Sequence, residues 1–338
     1  MAAAGRDPPR IGVVIPYFQR EPGLLQRALR SISEQQYSPV QVVVVDDGSP
    51  LAAHDEITAA LRSSLPGLTV IRQANQGVAA ARNAALDAIA DEVSAIAFLD
   101  SDDYWEASHL RNAALALTSG ADFFFSNLRI AGTTTDHFHG QGRRDLLDNA
   151  RVVPRAPGIM KWDGSASTLM AVNAPFRTSA VAFRRALMPQ VRFPVTFRRA
   201  GEDDLVWWDL LVRSSVVMYC TEPTVVYGTG GVGLWQHSEF GSIQYLILLT
   251  DAIRLRRHVL NNYLLSPCER RLVRERIAAH REAALVSALH LLRRRQADAF
   301  KETLNLLRSD PLCAASWCVA LPKLLYGKIR RGAASRDA

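Results

Sequence analysis

The chain has 338 residues, 48% of them hydrophobic and 22% charged, an ordinary globular balance that supports a large core or two. The segment "MAAAGRDPPR" lacks the apolar stretch of a secretory signal, and no run reaches the roughly 18 uncharged apolar residues of a spanning helix. Four cysteines (Cys220, Cys268, Cys313, Cys318) show no CxxC spacing and no disulfide framework, so a cytoplasmic protein with reduced thiols is expected. The net charge of +7 is uneven: residues 251–338 carry 18 Lys+Arg against 8 Asp+Glu, a net of +10, and the first 250 carry −3. A basic end on a slightly acidic body suggests an acidic partner for that end alone, such as nucleic acid or the inner face of an anionic membrane.

The first 130 residues alternate. "IGVVI" (11–15) is a short apolar strand, and "GLLQRALRSISEQ" (23–35) places Leu24, Leu25, Ala28, Leu29 and Ile32 at helical spacing. "VQVVVV" (40–45) is a β-branched run suited to a fully buried strand. A helix near 52–63 precedes the strand "LTVIR" (68–72), and "GVAAARNAALDAIA" (77–90) is an Ala-rich helix. "SAIAFL" (94–99) is a strand, a helix follows near 106–119, and "ADFFFSNL" (121–128) is another strand. This alternation predicts an α/β fold with a mostly parallel sheet flanked by helices, whose ligands lie outside the carboxyl ends of the strands. Residues 131–165 lose periodicity and read as a long irregular, functional loop. Sheet-like sequence returns at "TSAVAFRR" (178–185) and "SSVVMYCTEPTVVYG" (214–228). A catalytic domain over 1–240 and a helical C-terminal region over 241–338 are expected, with "SPCE" (266–269) as a capping box.

Two acidic groups fall at strand ends. Asp46 and Asp47 close the second strand in "VVVVDDGSP", which on its own reads equally well as a turn. Asp100, Asp102 and Asp103 close the fourth in "FLDSDDYW". Like charges so close disfavour one another's ionisation, and a helix cap explains one or two of them, not three. A divalent cation (Mg²⁺ or Mn²⁺) that also bridges substrate phosphates explains the cluster better. In "NQGVAAARN", Gly77 permits close backbone approach and Arg82 suits phosphate recognition.

With "VVIPYFQREPGLLQRALRSISEQ", "VVVVDDGS", "NQGVAAARNAALDAI" and "FLDSDDYW" in this order, the chain resembles the inverting family 2 glycosyltransferases of the GT-A fold over about residues 10–235. "VIPYFQREPG" is similar to bacterial exopolysaccharide glucosyltransferases of succinoglycan-type assembly. The resemblance implies a UDP-sugar donor, with glucose expected, and a saccharide or lipid-linked acceptor. Pro16 and Asp47 would border the nucleotide base, Asp47 accepting the uracil N–H. Asn75 and Arg82 would contact the nucleotide further along. Asp100 and Asp102 would form the DxD motif, with Asp102 the metal ligand and Asp103 a competing one. The usual "TYN" after the proline is "YFQ" here, so Phe18 keeps the stacking ring without its hydroxyl.

A transfer also needs a general base for the acceptor hydroxyl. "RRAGEDDLVWWDLL" (198–211) offers Glu202, Asp203 and Asp204, an acidic pattern equally common at plain helix starts. The resemblance assigns the second residue of the "ED" pair, Asp203. Arg198 and Arg199 would keep it ionised or simply be solvated.

Other signals are weaker. Gly228, Gly230 and Gly233 in "YGTGGVG" have GxGxxG spacing, compatible with an NAD-type oxidoreductase, but no βαβ unit follows and Asp251 stands in a helical run. A non-catalytic nucleotide-sugar-binding scaffold is the other alternative. His237 is a candidate for completing the metal shell or else a surface or loop histidine, while His137 and His139 lack a third ligand and read as acceptor-loop or surface residues. The tail "WCVALPKLLYGKIRRG" (317–332) suits a membrane surface, a closing helix or a homodimer contact equally. The arginines of this region are spread through amphipathic helices, which disfavours nucleic acid.

Overall fold

The structure, a computed structural model, describes residues 7–143, 145–172, 174–187, 189–197, 201–228, 238–315 and 317–318. The chain divides into two compact units, Met1–Thr196 with Glu202–Gly233, and Phe197–Gly201 with Leu234–Ala338.

The first unit is built on a ten-stranded sheet. Its strands are β1 (Ile11–Tyr17), β2 (Gln41–Asp46), β3 (Leu68–Arg72), β4 (Ala95–Phe98), β5 (Tyr104–Trp105), β6 (Phe123–Ile130), β7 (Ala150–Val152), β8 (Ile159–Trp162), β9 (Val181–Arg184) and β10 (Val217–Tyr227). They lie in the order β3-β2-β1-β4-β9-β6-β10-β8-β7, with β5 paired to β10. β1 to β4 are mutually parallel and β6 is parallel to β10, while β9 runs antiparallel between β4 and β6. Every residue of β1 and β4 is buried, which is why both stretches read as unbroken apolar runs rather than as alternation. The helices Leu24–Ser33, Val78–Asp87 and His109–Thr118 connect the strands, so the α/β architecture with a mostly parallel sheet is observed.

Three details differ from the sequence expectation. The single helix near 52–63 is two short ones, Ala53–Glu56 and Ala59–Ser64. Ile57 between them is extended, and Thr58 starts the second by accepting a hydrogen bond from Leu61 N–H. The stretch 131–165 is not simply irregular: it holds the helix His137–Gly140, capped by Asp136, and the antiparallel pair β7–β8. Strands of three and four residues are too short to display a period. β5, two residues long, gives no sequence signal at all.

The second unit holds the helices Ile243–Asn262, Pro267–Arg293 and Ala299–Ser309. The capping box is present: Ser266 Oγ accepts from Glu269 N–H at 3.2 Å, and Glu269 Oε2 accepts from Ser266 N–H at 2.9 Å. Asp310, fully buried, accepts from Arg281 Nε and Nη2 at 2.7 and 2.9 Å and from Arg257 Nη1 at 3.1 Å. Among the described residues no helix is long and apolar enough to cross a membrane. The tail beyond residue 318 lies outside the described residues, as do Arg198, Arg199, Gly230, Gly233 and His237.

Candidate active site

The parallel strands β1, β2 and β4 bring their carboxyl ends to one edge, with Tyr17 level with Asp46. Pro16 is buried within β1 and Phe18, just past its end, is half-buried. Gln19 then binds the neighbouring loops together. Its N–H donates to Ser49 Oγ at 2.8 Å, and its side-chain amide donates to Ser101 Oγ at 3.1 Å. The Gln in the "YFQ" departure is therefore a buried tie between the first strand, the "DDGS" turn and the "DSDD" turn.

Asp46 and Asp47 have different tasks. Asp46 accepts from Ser49 and Ala53 N–H and so closes its own turn. Asp47 reaches across to the "QANQG" loop, accepting from Gln73 Nε2 at 2.8 Å, Gln76 N–H at 2.9 Å and Gly77 N–H at 2.8 Å. Gly77 has φ 91°, a conformation that glycine enters without steric penalty, and this turns its N–H onto the carboxylate. Asn75, in the same loop, is exposed.

The "DSDD" segment is a tight turn in which Asp103 N–H donates to Asp100 carbonyl oxygen at 3.0 Å. Its three carboxylates diverge. Asp103 is buried: its Oδ2 accepts from Ser179 Oγ at 2.5 Å and its Oδ1 from Gly228 N–H at 2.8 Å. Burial, then Asp102 and Asp100, push its carboxyl well above the usual range. Asp102 is partly exposed, and burial followed by Asp100 pushes it up to about 7, against the opposing pull of Arg27. Arg27 also donates to the Asp102 carbonyl at 2.7 Å and lies over the Tyr104 ring, 5.0 Å from its centre.

The pairing of β5 with β10 explains Gly228. Tyr104 sits opposite Val226, so Gly228 arrives against Asp102, and any Cβ there would overlap the Asp102 carbonyl oxygen. Gly228 closes β10 and anchors it to the acidic turn, and the described elements that follow it are helices rather than a βαβ unit.

Arg82 enters from the helix Val78–Asp87. It is buried, with Nη2 donating to Asp100 Oδ1 at 2.9 Å and Nη1 to Glu202 Oε1 at 3.2 Å. Burial opposes its charge, but Asp100, Glu202 and Asp203 outweigh that and raise its pKa. Glu202 itself is pushed up to about 7, by burial and then by Asp203, with Arg82 opposing. One guanidinium thus ties the acidic turn to the start of the helix Glu202–Arg213.

That helix is fixed from below by Trp207, whose ring lies 5.6 Å from Phe98, 6.3 Å from Phe123 and 6.0 Å from Phe193. Acidic residues suit its first turn. Asp203 is half-buried; its Oδ2 accepts from Thr178 Oγ1 at 2.9 Å and its Oδ1 from Asp204 N–H at 2.9 Å.

The structure therefore brings Arg82, Asp100, Asp102, Asp103, Glu202 and Asp203 to one edge, and places Pro16, Phe18, Asp47 and Asn75 on the β1–β2 side of it. Sequence reasoning missed Gln19, Arg27, Thr178 and Ser179. The only sequence signal for the last two was a pair of hydroxyls immediately ahead of the apolar run "AVAF". His139 pairs with its own cap, Asp136, at 2.6 Å, and His137 is pulled down to about 4 by burial and then Arg177.

The Glycosyl transferase family 2 model matches residues 12–183. The succinoglycan biosynthesis protein ExoW of Rhizobium meliloti (strain 1021) is 29% identical over 95% of this chain and 99% of its own length. The uncharacterized glycosyltransferase alr2836 of Nostoc sp. is 31% identical over 58% of this chain and 55% of its own. Among solved structures, S. aureus TarS 1–349 superposes with a TM-score of 0.60 at 16% identity, over 96% of this chain and 92% of that one. The same TarS fragment with UDP-GlcNAc gives a TM-score of 0.52 over 90% and 91%. The structural likenesses agree with the α/β sheet, and the chain belongs to glycosyl transferase family 2.

Proposed function

We propose that this glycosyltransferase moves a hexose, glucose in the first instance, from a UDP-sugar to a hydroxyl of a saccharide acceptor, with inversion. The observation that carries the reading is the Arg82 bridge, in which one buried guanidinium holds the acidic turn at Asp100 and the helix start at Glu202. The acidic turn proposed to carry the cation and a proton acceptor are thereby kept in fixed relation, as a single in-line displacement requires.

Asp203 is the general base. It is partly open to solvent, and it stands beside an Arg82-neutralised Glu202. It takes the proton of the acceptor hydroxyl while the anomeric carbon–oxygen bond to the diphosphate breaks. Pro16, Phe18 and Asn75 would frame the nucleotide, and Asp47, buried and accepting three hydrogen bonds from the "QANQG" loop, would hold that loop beside the base. Arg82, with both Nη atoms engaged, acts by holding Asp100 and Glu202 rather than as a free phosphate ligand.

The acidic turn fits a divalent cation. Asp102 is raised by burial and by Asp100, an excess of negative groups that a hard cation relieves. Asp103 is already held by Ser179 and Gly228, which supports Asp102 as the ligand. Among the described residues no group of three or more His, Cys, Asp or Glu side chains could hold an ion, and Asp102 would share such a cation with donor phosphate oxygens and water. Such a cation, when bound, offsets the negative charge that grows on the leaving diphosphate.

ExoW, by its name, serves succinoglycan biosynthesis, and a lipid-linked exopolysaccharide intermediate is the proposed acceptor class. The basic 251–338 region would then lie on the inner face of the membrane or in a homodimer contact. The test is UDP release screened across UDP-sugars with Mg²⁺, Mn²⁺ or EDTA, on wild type, Asp102→Asn and Asp103→Asn. Cation-dependent release that Asp102→Asn abolishes is expected; release indifferent to EDTA would refute the cation site.

A further inference from the structure

We propose that Thr178 and Ser179 are a positioning pair, two adjacent hydroxyls that set the base against the acidic turn. The inference rests on the reading of Asp203 as the base.

The placement follows from topology. β9 runs antiparallel between β4 and β6, with Ala182 opposite Ala97 and Val181 opposite Phe125. Its first residues therefore lie at the edge where β4 ends, beside the first half of β6. The 3-10 turn Thr178–Ala180 occupies that position and is buried throughout. Ser179 faces the acidic turn: its hydroxyl donates to Asp103 Oδ2 at 2.5 Å and accepts from Asp100 N–H at 3.0 Å. Thr178 faces the helix: its hydroxyl donates to Asp203 Oδ2 at 2.9 Å. The backbone between them is pinned, because Ser179 carbonyl oxygen accepts from Trp105 Nε1 at 2.8 Å. One dipeptide therefore reaches both halves of the site, on a path separate from the Arg82 bridge.

The two hydroxyls have different consequences. Asp203 Oδ1 already accepts from Asp204 N–H, so the bond from Thr178 to Oδ2 fixes the second end of the carboxylate and the plane in which it presents its lone pairs. A base misplaced by a fraction of an ångström loses rate without losing substrate. Thr178 should therefore govern turnover. Ser179, which orders Asp100 and Asp103, should govern donor and cation affinity.

The test uses the full chain with Mn²⁺ and whichever of UDP-glucose, UDP-galactose and UDP-GlcNAc the wild type hydrolyses. Steady-state UDP release is measured for Thr178→Val, Thr178→Ala, Thr178→Ser, Ser179→Ala and Asp203→Asn. Thr178→Val is expected to lower kcat roughly tenfold with donor KM within about twofold of wild type, and Thr178→Ser to restore kcat to within about threefold. Ser179→Ala should instead raise donor KM. If Thr178→Val does not fold, Thr178→Ala is read by the same criteria. Unchanged kcat in Thr178→Val, a loss that serine does not rescue, or a KM that rises as kcat falls would overturn the pairing. Full turnover in Asp203→Asn would instead sink the base assignment itself, and no UDP release from any donor by wild type would remove both.

Discussion

Arg82 Nη2 lies 2.9 Å from Asp100 Oδ1 while Nη1 of the same guanidinium lies 3.2 Å from Glu202 Oε1. Two elements 102 residues apart in sequence meet on this one cation. Removing it leaves the partly exposed Asp100 without its partner and the buried Glu202 without the charge that opposes its burial. Arg82→Ala is expected to cost about 3 kcal/mol in urea unfolding, because one partner of a buried pair is left uncompensated. Arg82→Lys should recover only part of this, since a single ammonium cannot span both oxygens with the same fork. Equal stability of Arg82→Ala and wild type would show that the bridge is incidental.

Gly228 offers a steric test. Its added Cβ would overlap the Asp102 carbonyl, and its N–H would be displaced from Asp103. Gly228→Ala should therefore disturb both the end of β10 and the acidic turn, lowering Tm and abolishing cation-dependent UDP release. Gly140→Ala is the control, since its Cβ would meet nothing nearer than 3.7 Å. A Gly228→Ala protein with wild-type Tm and turnover would show that this close approach does not matter.

His109 predicts an acid-sensitive fold. It is fully buried, stacked 4.4 Å from Trp105, and its Nδ1 lies 2.9 Å from Thr224 Oγ1. Burial pulls it down to about 3 from an ordinary 6.5. With a lowered folded pKa, the neutral ring stabilises the fold fully above pH 6.5. That contribution is lost as pH falls from 6.5 towards 3, because the unfolded chain takes up the proton first. The loss by pH 4 is of the order of 3 kcal/mol. His137 and His280, both lowered to about 4, add to the same slope. His109→Gln should be less stable at pH 7.5 yet lose less Tm between pH 6.5 and pH 4. A loss identical to wild type would rule His109 out.

Much of the sheet was legible because parallel strands covered on both faces write themselves as apolar runs: "IGVVI", "VQVVVV" and "SAIAFL" could be little else. The acidic ends of β2 and β4 were legible for the same reason, since the runs stop at charges. Division of labour within each acidic group was not. Asp102 and Asp103 are neighbours of identical chemistry, and only the arrival of Gly228 and Ser179 from distant strands separates the half-open carboxylate from the buried one. Arg82 looked like a phosphate ligand because its partner Glu202 lies on a helix whose packing on Phe98 and Phe123 leaves no local trace. β5 stayed hidden because two residues carry no period.

In the second unit Asp310 is buried between Arg257 and Arg281. Burial works against its charge, but hydrogen bonds from Arg281 prevail and lower its pKa. Asp310→Asn leaves two cations without their shared acceptor and is expected to cost about 3 kcal/mol, read as an earlier unfolding transition in urea. Cation-dependent UDP release should persist, since no residue of the proposed site lies on these helices. Loss of release at unchanged stability would place Asp310 in the reaction.

The most direct measurement of the central claim compares donor binding with turnover in Asp203→Asn. Calorimetric binding of UDP with Mn²⁺ should match wild type, while the rate of UDP release from the preferred UDP-sugar should fall by about 10² or more. Wild-type turnover in this variant, or binding lost in step with turnover, would contradict a base held apart from the donor site.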